Sequence, residues 1–384
     1  MRVLFWVQHL LGSGHLKRAA TLARALVGQG LEVALVSGGP PAPWLLPPGV
    51  AVIQLPAVRA RDLAFSALVD EADRPLDDAL RTARRDRLLR AFEEWAPEVV
   101  ITEMFPFGRR GFLFELLPLL EAVARSRPRP WLVASVRDIL VTKPAPERYV
   151  WMRDLALAHY DRVLAHTDPA LVPFGLTFPY ADALGPRLVS TGYVVEAGPP
   201  ARAGDEVVVS AGGGRVGGRL LETALAARPL SRLSAQPWRL ITGGASAPER
   251  IAELGAGLPD GVVVEQQRDD FQALLAKSLL SVSQAGYNTV VEVLRLGKPM
   301  VLVPFETATE TEQTIRARRL RECGLAEVLG ESELTPLGLA RAIDDAMLSR
   351  PAEQRPSLDL DGAAASARLV AELAGRTAPP EPGR

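Results

Sequence analysis

Short apolar runs alternate with helix-patterned segments along the 384 residues of this chain. Runs that predict strands are 3–7, 32–36, 50–54, 99–102, 131–135, 162–165 and 187–190 in the first half, and 206–210, 238–241, 262–265, 279–283 and 300–303 in the second. Nearly continuous apolar strands separated by helices are typical of parallel sheets covered on both faces. The pattern therefore predicts an α/β protein with two doubly wound domains.

Two similar openings mark where the domains begin. The first predicted strand leads into Gly12-Ser13-Gly14-His15 and an amphipathic helix, and the strand at 206–210 leads into a second glycine-rich turn and helix. A Gly/Pro-rich stretch lies directly before the second opening, as expected for a linker. We expect an N-terminal domain at 1–195, a linker at 196–205, a C-terminal domain at 206–374 and a disordered tail at 375–384.

Composition narrows the class of protein. A hydrophobic content of 48% and a charged content of 23% are ordinary for a soluble globular protein. The net charge of −1 gives no electrostatic case for nucleic-acid binding. The single cysteine, Cys323, excludes an internal disulfide and fits a reducing cytoplasm. No apolar run approaches the roughly 20 residues that span a bilayer, so we expect no transmembrane segment and a cytoplasmic location.

The arginine-rich segment from Arg59 to Arg90 has a helical pattern but no clear apolar layer. Charge runs of this kind are usually solvated faces. We therefore predict a solvated helical excursion from the first domain.

The stretch from Ser283 to Phe305 predicts a strand, a glycine turn, a short helix and a second buried strand. Unpaired N–H groups over Gly286 and at Asn288 and Thr289 favour an anion, as does the dipole of the helix that starts there. Glu292 follows about one turn further into the helix, where its carboxylate can accept hydrogen bonds from vicinal hydroxyls. Phosphate beside a diol predicts a nucleotide-sugar site.

The second glycine turn has a Gly212-x-Gly214-x-x-Gly217 spacing that formally matches a dinucleotide fingerprint. That fingerprint also requires an acidic residue after the second strand, and this strand ends at Gly244 without one. The sequence therefore argues against NAD. Gly212, Gly213 and Gly214 remain candidates for contact with a diphosphate, with a tight structural turn as the alternative.

Three titratable residues at the ends of predicted strands are candidate general bases. His15 closes the first glycine loop, where open α/β sheets bind ligands, and its pKa is easily moved near neutrality. Glu103 and Asp138 follow two other strands of the same domain. A helix cap for His15 and loop salt bridges for the two acids are the alternatives.

Acceptor binding is predicted beside these bases. Arg109 and Arg137 lie in the same two loops as Glu103 and Asp138 and are candidates for holding an anionic or hydroxylated acceptor. Gly14 lies in the glycine loop on the same side.

Glu312 and Gln313 follow the last clear strand and are candidate sugar ligands. Their alternative is a helix start, where the dipole favours glutamate. Asp359-Leu-Asp361 resembles the Asp-x-Asp motif of metal-dependent sugar transferases but lies near the C-terminus, so we interpret it as a surface turn.

These segments together resemble the family 28 glycosyltransferases and their GT-B relatives, which include the peptidoglycan N-acetylglucosaminyltransferase and a bacterial group of predicted glycosyltransferases. The marks of the resemblance are Gly12–His15, Glu103–Arg110, Ser135–Asp138, Ser210–Gly214 and Gly286–Pro304. The resemblance implies two doubly wound Rossmann-like domains facing a cleft, with an acceptor-side N-terminal domain and a donor-binding C-terminal domain.

The resemblance also implies roles for single residues. Glu292 matches the family's ribose-binding glutamate, Glu312 and Gln313 match its sugar-binding loop, and His15 matches its glycine-loop histidine. The glycines 212–214 match the loop near the diphosphate.

The expected activity is a metal-independent transfer of a hexose from a nucleotide-sugar, with UDP the favoured nucleotide, at the cleft between the domains. The acceptor is a small molecule, a glycan or a lipid-linked molecule, and no cofactor is needed. One alternative is a nucleotide-sugar hydrolase of the pseudaminic-acid pathway type, which shares the opening at 12–18. The other is a nucleotide-sugar-binding protein without catalysis.

Overall fold

The computed structural model describes residues 1–62, 67–141, 145–211, 218–243, 257–266, 268, 270–305, 311–348 and 356–376. The chain forms two compact units. Unit 1 contains Met1–Val194 together with Asp359–Arg384, and unit 2 contains Val195–Leu358. The boundary at Val194 agrees with the expected linker, since residues 196–205 contain neither helix nor strand.

Unit 1 is built on a seven-stranded parallel sheet with the order β3-β2-β1-β6-β7-β8-β9. Its strands are β1 (Arg2–Val7), β2 (Glu32–Ser37), β3 (Val50–Gln54), β6 (Val99–Glu103), β7 (Trp131–Arg137), β8 (Arg162–His166) and β9 (Leu188–Ser190), and a separate antiparallel pair comprises β4 (Arg59–Ala60) and β5 (Leu68–Val69). Every strand predicted in the first half is present within one or two residues.

Unit 2 contains a six-stranded parallel sheet with the order β12-β11-β10-β13-β14-β15. Its strands are β10 (Glu206–Ser210), β11 (Trp238–Thr242), β12 (Val262–Gln266), β13 (Ser278–Ser283), β14 (Met300–Leu302) and β15 (Glu327–Val328). The pattern did not predict β15, because a two-residue strand carries too few positions for a period.

Helices cover the sheets. In unit 1 they are α1 (Gly14–Gly28), α2 (Asp78–Trp95), α3 (Leu113–Arg125), α4 (Glu147–His159) and α10 (Gly362–Ala374); in unit 2 they are α5 (Gly218–Ala227), α6 (Phe271–Ala276), α7 (Tyr287–Leu296), α8 (Glu312–Glu322) and α9 (Pro336–Met347). The two-layer cover is visible in β1, where Leu4 and Trp6 join one apolar core and Val3, Phe5 and Val7 join the other. Alternate side chains of a strand point to opposite faces, so both faces of this sheet are buried.

The final helix corrects the predicted domain boundary. We expected residues up to 374 to belong to the C-terminal domain, but α10 packs in unit 1 and buries Ala367, Val370 and Leu373 in the core beside α1. Tyr193 and Asp359 join the two ends of the unit, with the Tyr193 amide donating to the Asp359 carbonyl at 2.8 Å. The apolar face of α10 is visible in the sequence, but the sequence does not say which sheet it covers.

The prediction of a solvated excursion at 59–90 was wrong for one residue in particular. Arg84 on α2 is fully buried and forms an ion pair with Glu115 of α3, with Nε 2.8 Å from Oε2. The arginines flanking it in sequence remain more exposed, as a charge run predicts.

The predicted surface turn at 359–361 agrees with the exposure of both aspartates. Of the predicted tail, Gly375 and Arg376 follow α10, and 377–384 lie outside the described residues.

The strand orders place a switch point in each sheet. In unit 1 the order reverses between β1 and β6, and in unit 2 it reverses between β10 and β13. In open parallel sheets the loops at the carboxyl ends of the strands diverge at such points and leave a crevice that binds ligands. Each unit therefore has one position where the fold favours a site.

Candidate functional site

His15 and Glu103 meet at the switch point of unit 1. His15 lies in the first turn of α1, directly after the glycine loop that follows β1, and Glu103 ends β6. The His15 Nδ1 atom is 2.7 Å from the Glu103 Oε1 atom. Two of the three candidate bases predicted from the sequence are thus hydrogen-bonded to each other.

This hydrogen bond sets the chemistry of the imidazole ring. A carboxylate only accepts hydrogen bonds, so the proton of neutral His15 is on Nδ1 and the lone pair is on Nε2. Glu103 is 1% exposed, whereas the His15 side chain is 21% exposed and accessible. The arrangement is that of a general base whose orientation and tautomer are held by a buried carboxylate.

The pKa values of the pair set their charge states. Burial is the largest cause that lowers the pKa of His15 to about 3; the charges of Arg109 and Arg18 contribute to this lowering, and Glu103 opposes it. Burial by itself raises the pKa of the Glu103 carboxyl, but His15, Arg18 and Arg109 outweigh it and lower the pKa to about 2. At neutral pH the imidazole is therefore neutral and the carboxyl is ionised.

Arg18 completes this cluster and was missed by the sequence reasoning as a site residue. It lies one turn after His15 on α1, is 3% exposed, and donates from Nη2 to the Glu103 Oε1 atom. Its signal in the sequence is an arginine on the apolar face of an amphipathic helix. A buried arginine there requires a carboxylate partner.

Arg109 lies beside the pair, on the loop after β6. Its Nη2 atom is 3.7 Å from the Glu103 Oε2 atom, and its Nε donates to the Gln8 carbonyl at 2.8 Å. Met104 and Arg109 both have positive φ, 64° and 59°. Left-handed backbone is unfavourable for non-glycine residues, so this loop holds a strained conformation that places Arg109 next to Glu103.

The other predicted residues of unit 1 lie nearby with different surroundings. Arg137 ends β7 and is half-buried, close enough for its charge to lower the pKa of Arg109. Asp138 is fully buried, and its Oδ1 atom accepts from the Ile139 amide at 2.9 Å. Gly14 is the first residue of α1. Of the three predicted bases, Asp138 is thus engaged by its own loop.

His166 is a second histidine of this region that the sequence reasoning missed. It ends β8 fully buried, with Nε2 2.8 Å from the Ser135 Oγ atom and Nδ1 2.9 Å from the Thr191 Oγ1 atom. Burial, helped by the charge of Arg18 and opposed by Glu103, lowers its pKa to about 3. With both ring nitrogens occupied, its role is to join β7, β8 and the segment after β9.

The switch point of unit 2 presents the N-terminus of α7. Gly286 caps this helix in an extended conformation, without a side-chain cap, and a Cβ at Gly286 would meet no atom within 4 Å. Asn288 and Thr289 are half-buried in the first turn, and Glu292 is 3% exposed on the second. A helix N-terminus favours an anion, so anion binding at this turn stays a prediction.

Arg316 joins the next predicted segment to this turn. It is fully buried on α8, donates from Nη1 to the Ala285 carbonyl at 2.7 Å, and lies 5.7 Å from the centroid of the Tyr287 ring. The start of α8, with Glu312 and Gln313, is thereby held to the turn that carries Gly286. Gln313 accepts a hydrogen bond from the Phe305 amide at 3.1 Å, and so orders the end of the preceding loop.

The glycines 212, 213 and 214 lie outside the described residues. In the described part of the chain, no helix has the length and apolar character to cross a membrane. The same residues contain no group of three or more His, Cys, Asp or Glu side chains placed to bind a metal ion.

Comparison with known families matches the C-terminal part of the chain. The model of the glycosyltransferase family 28 C-terminal domain matches residues 208–372. A UDP-N-acetylglucosamine–N-acetylmuramyl-(pentapeptide) pyrophosphoryl-undecaprenol N-acetylglucosamine transferase of Exiguobacterium sibiricum is 32% identical over 146 residues, which cover 38% of this chain and 40% of the relative. The chain therefore spans less than half of the length of this curated relative.

Solved structures match the chain over nearly its whole length. The calicheamicin glycosyltransferase CalG4 has a TM-score of 0.62 at 17% identity, covering 99% of this chain and 100% of that chain. MurG of Acinetobacter baumannii has a TM-score of 0.57 at 16% identity, covering 97% and 99%. At this identity the structures establish the fold alone. The chain has the fold of the GT-B glycosyltransferases, and its residues 208–372 match the glycosyltransferase family 28 C-terminal domain.

Proposed function

We propose that the protein transfers a hexose from a nucleotide-sugar to an acceptor hydroxyl. Unit 1 supplies the base and unit 2 holds the donor. The observation that carries the proposal is the 2.7 Å contact between His15 Nδ1 and Glu103 Oε1 at the switch point of unit 1. The transferase activity named for the relative of Exiguobacterium sibiricum supports transfer over hydrolysis or binding alone, and makes a UDP-sugar the first donor to test.

In this mechanism His15 Nε2 takes the proton of the acceptor hydroxyl as its oxygen attacks the anomeric carbon. The bond between that carbon and the diphosphate breaks, and the nucleoside diphosphate leaves with the electron pair. Glu103 stabilises the imidazolium that forms and keeps the ring in place. The low pKa of His15 keeps the base neutral before the reaction.

The departing diphosphate gains negative charge, and unit 2 has groups suited to stabilise it. The N-terminus of α7 carries about half a positive charge from the helix dipole, and the first N–H groups of a helix have no partner within it. We assign Glu292 to the ribose hydroxyls, and Glu312 with Gln313 to the sugar. The glycines 212–214 remain proposed diphosphate contacts.

Replacing Glu292 with alanine is expected to weaken UDP binding by about ten- to a hundredfold. A hydrogen bond to a charged group contributes about 1.5–3 kcal/mol, which is one to two factors of ten in the dissociation constant. Isothermal titration calorimetry measures the change. Glu322→Ala is the matched control, since Glu322 is an exposed glutamate of α8 that pairs with Arg319. An unchanged UDP affinity in Glu292→Ala would remove the ribose assignment.

Transfer is expected to proceed without a divalent ion, because the helix N-terminus and backbone amides provide the charge that a metal would otherwise supply. Activity in excess EDTA should equal activity in added Mg²⁺ or Mn²⁺. Loss of activity in EDTA that Mg²⁺ restores would contradict metal independence and leave the assignment of the base intact.

The proposal as a whole is tested with a panel of nucleotides and nucleotide-sugars. Binding raises the midpoint of thermal unfolding by mass action, so UDP, GDP and dTDP are compared first, followed by their sugars with sugar, glycan and lipid-linked acceptors. Absence of binding across the panel would refute a nucleotide-sugar function. Release of free sugar at ordinary enzymatic rates without an acceptor would instead indicate a hydrolase.

A cytoplasmic location is part of the proposal and rests on the single cysteine.

A further inference from the structure

A buried arginine of unit 2 acts on the turn in front of α7. Arg316 lies one turn into α8, is 0% exposed, and donates from Nη1 to the Ala285 carbonyl at 2.7 Å. We propose that Arg316 is a positioning residue for the leaving diphosphate, because it orients the peptide between Ala285 and Gly286 and so directs the Gly286 N–H toward a diphosphate oxygen. This inference rests on the proposed function, since it names the side chain that orders one of the assigned diphosphate contacts.

The geometry of this peptide explains how the arginine acts. The Ala285 carbonyl and the Gly286 N–H belong to one planar trans peptide, in which they point in opposite directions. A hydrogen bond that holds the carbonyl toward Arg316 therefore turns the N–H away from Arg316. Within the described part of the chain this N–H donates to no acceptor, and a Cβ added at Gly286 would meet no atom within 4 Å. The N–H is thus fixed in direction and available to a ligand that approaches the turn.

A second contact of Arg316 holds the other side of Gly286. The guanidinium carbon lies 5.7 Å from the centroid of the Tyr287 ring, and Tyr287 is the first residue of α7 and 5% exposed. A guanidinium can donate in its plane while its face stacks on an aromatic ring, whereas the ammonium of lysine has no such plane. One side chain therefore fixes the residues directly before and directly after Gly286.

The same side chain links this turn to the residues assigned to the sugar. Glu312 begins α8 one turn before Arg316, and the neighbouring Gln313 accepts from the Phe305 amide at 3.1 Å. Because a short helix is nearly rigid, the hydrogen bond from Arg316 to Ala285 sets the distance between the start of α8 and the turn. A nucleotide-sugar carries its sugar and its diphosphate in one molecule, so both groups must find their contacts at that distance.

The first measurement is made on the full-length protein without nucleotide. The Val290 N–H donates to the Gly286 carbonyl at 3.1 Å, so its hydrogen exchange reports the opening of the first turn of α7. In Arg316→Met this amide should exchange about tenfold faster or more, while the amides of the central strands β10 and β13 keep their wild-type rates. Wild-type exchange at Val290 in this variant would overturn the proposal.

The second measurement is steady-state transfer with the donor and acceptor found in the panel. A donor that acts on charge developing in the transition state affects kcat more than KM, and its loss usually costs a hundredfold or more. We expect kcat per folded molecule to fall by about a hundredfold in Arg316→Met, with KM for the nucleotide-sugar changed less than about tenfold. A merely structural role would reduce the folded fraction, measured by circular dichroism, and leave kcat per folded molecule unchanged.

Arg318→Met is the matched control, since it removes the same charge from an exposed position of the same helix. Its exchange at Val290 and its kcat should equal those of the wild type, and an equal loss in both variants would contradict the inference. If Arg316→Met does not fold, Arg316→Lys keeps the charge and one donor without the stack. Its kcat should fall by a smaller factor, about tenfold, and a wild-type kcat in Arg316→Lys would overturn the role of the guanidinium.

Failure of this inference is distinguishable from failure of the proposed function. Normal transfer together with wild-type exchange at Val290 in Arg316→Met refutes the positioning role and leaves the transferase proposal intact. Absence of nucleotide binding by the wild-type protein refutes the proposed function, and with it the diphosphate as the group that Gly286 contacts.

Discussion

Replacement of His15 by alanine is expected to lower kcat for sugar transfer by about a hundred- to ten-thousandfold, the usual contribution of a positioned general base. The dissociation constant for the donor should stay unchanged, because the donor site is assigned to unit 2. Steady-state kinetics with the acceptor found in the panel, together with calorimetry for UDP, separate the two effects.

The pH dependence adds a second readout for the same residue. The pKa of His15 is lowered to about 3, so the base is already neutral at pH 5 to 7. The rate should therefore not fall around pH 6.5 as it would for an unperturbed histidine. Glu103→Gln should lower kcat as well, since an amide can donate to Nδ1 and favour the wrong tautomer.

His159→Ala is the control for loss of a histidine as such. His159 ends α4, away from the carboxyl edge of the sheet. Its replacement should leave kcat within about twofold, which is a change of less than 0.5 kcal/mol in the barrier. If His15→Ala retained most of the wild-type rate, the assignment of the base would be wrong, and Asp138 would be the next candidate.

Replacement of Arg84 by methionine is expected to lower the free energy of unfolding of unit 1 by about 3 to 5 kcal/mol, the usual effect of leaving one charge of a buried pair without its partner. Two nitrogens of Arg84 bind Glu115, each at 2.8 Å. The remaining donors bind Gln8 Oε1 and the carbonyls of Gly38 and Pro56 at 2.6 to 2.8 Å.

These contacts give Arg84 a place in the organisation of the site. Gln8, Gly38 and Pro56 follow β1, β2 and β3, so one side chain joins the loops at the carboxyl ends of three strands. A Cβ at Gly38 would lie 2.2 Å from the Gln8 Oε1 atom and 2.6 Å from the Arg84 Nη2 atom, so a larger residue there would displace these side chains. The Gln8 carbonyl also accepts a hydrogen bond from Arg109. Loss of Arg84 should therefore make the position of Arg109, on the predicted acceptor side, less well ordered.

Denaturation followed by tryptophan fluorescence measures this effect. Of the six tryptophans, Trp238 alone lies in unit 2, so the signal reports mainly on unit 1. Arg85→Met is the matched control on the same helix. Arg85 is half-buried and pairs with Asp86, so its replacement should change the free energy of unfolding by less than about 0.5 kcal/mol. Arg84→Met with Glu115→Leu should cost less than the sum of the single changes. An unfolding midpoint for Arg84→Met equal to that of Arg85→Met would contradict the role assigned to this pair.

Much of the fold was predictable because its signals are local. A buried parallel strand is a short apolar run, and a covering helix has an apolar face, so the strands 99–102 and 131–135 were found within two residues of their observed ends. The candidate positions for a site come from equally local signals, since in the sequence a glycine-rich segment follows the first strand of each half. The two glycine openings and Glu292 can be located without knowing any long-range contact.

The partners of the buried charges were decided by the tertiary structure. His15 and Glu103 are 88 residues apart, and Arg84 and Glu115 are 31 apart. Periodicity does not say which strand lies next to β1, and it was the placement of β6 there that brought Glu103 to His15. The same limit explains α10, because only the return of the chain to unit 1 decided which sheet its apolar face covers. The short-range pattern thus specified the helices, the strands and the candidate residues. The strand order decided which charged side chains pair with each other. Such pairing is needed once the charges are buried, because a buried charge without a partner has lost its hydration.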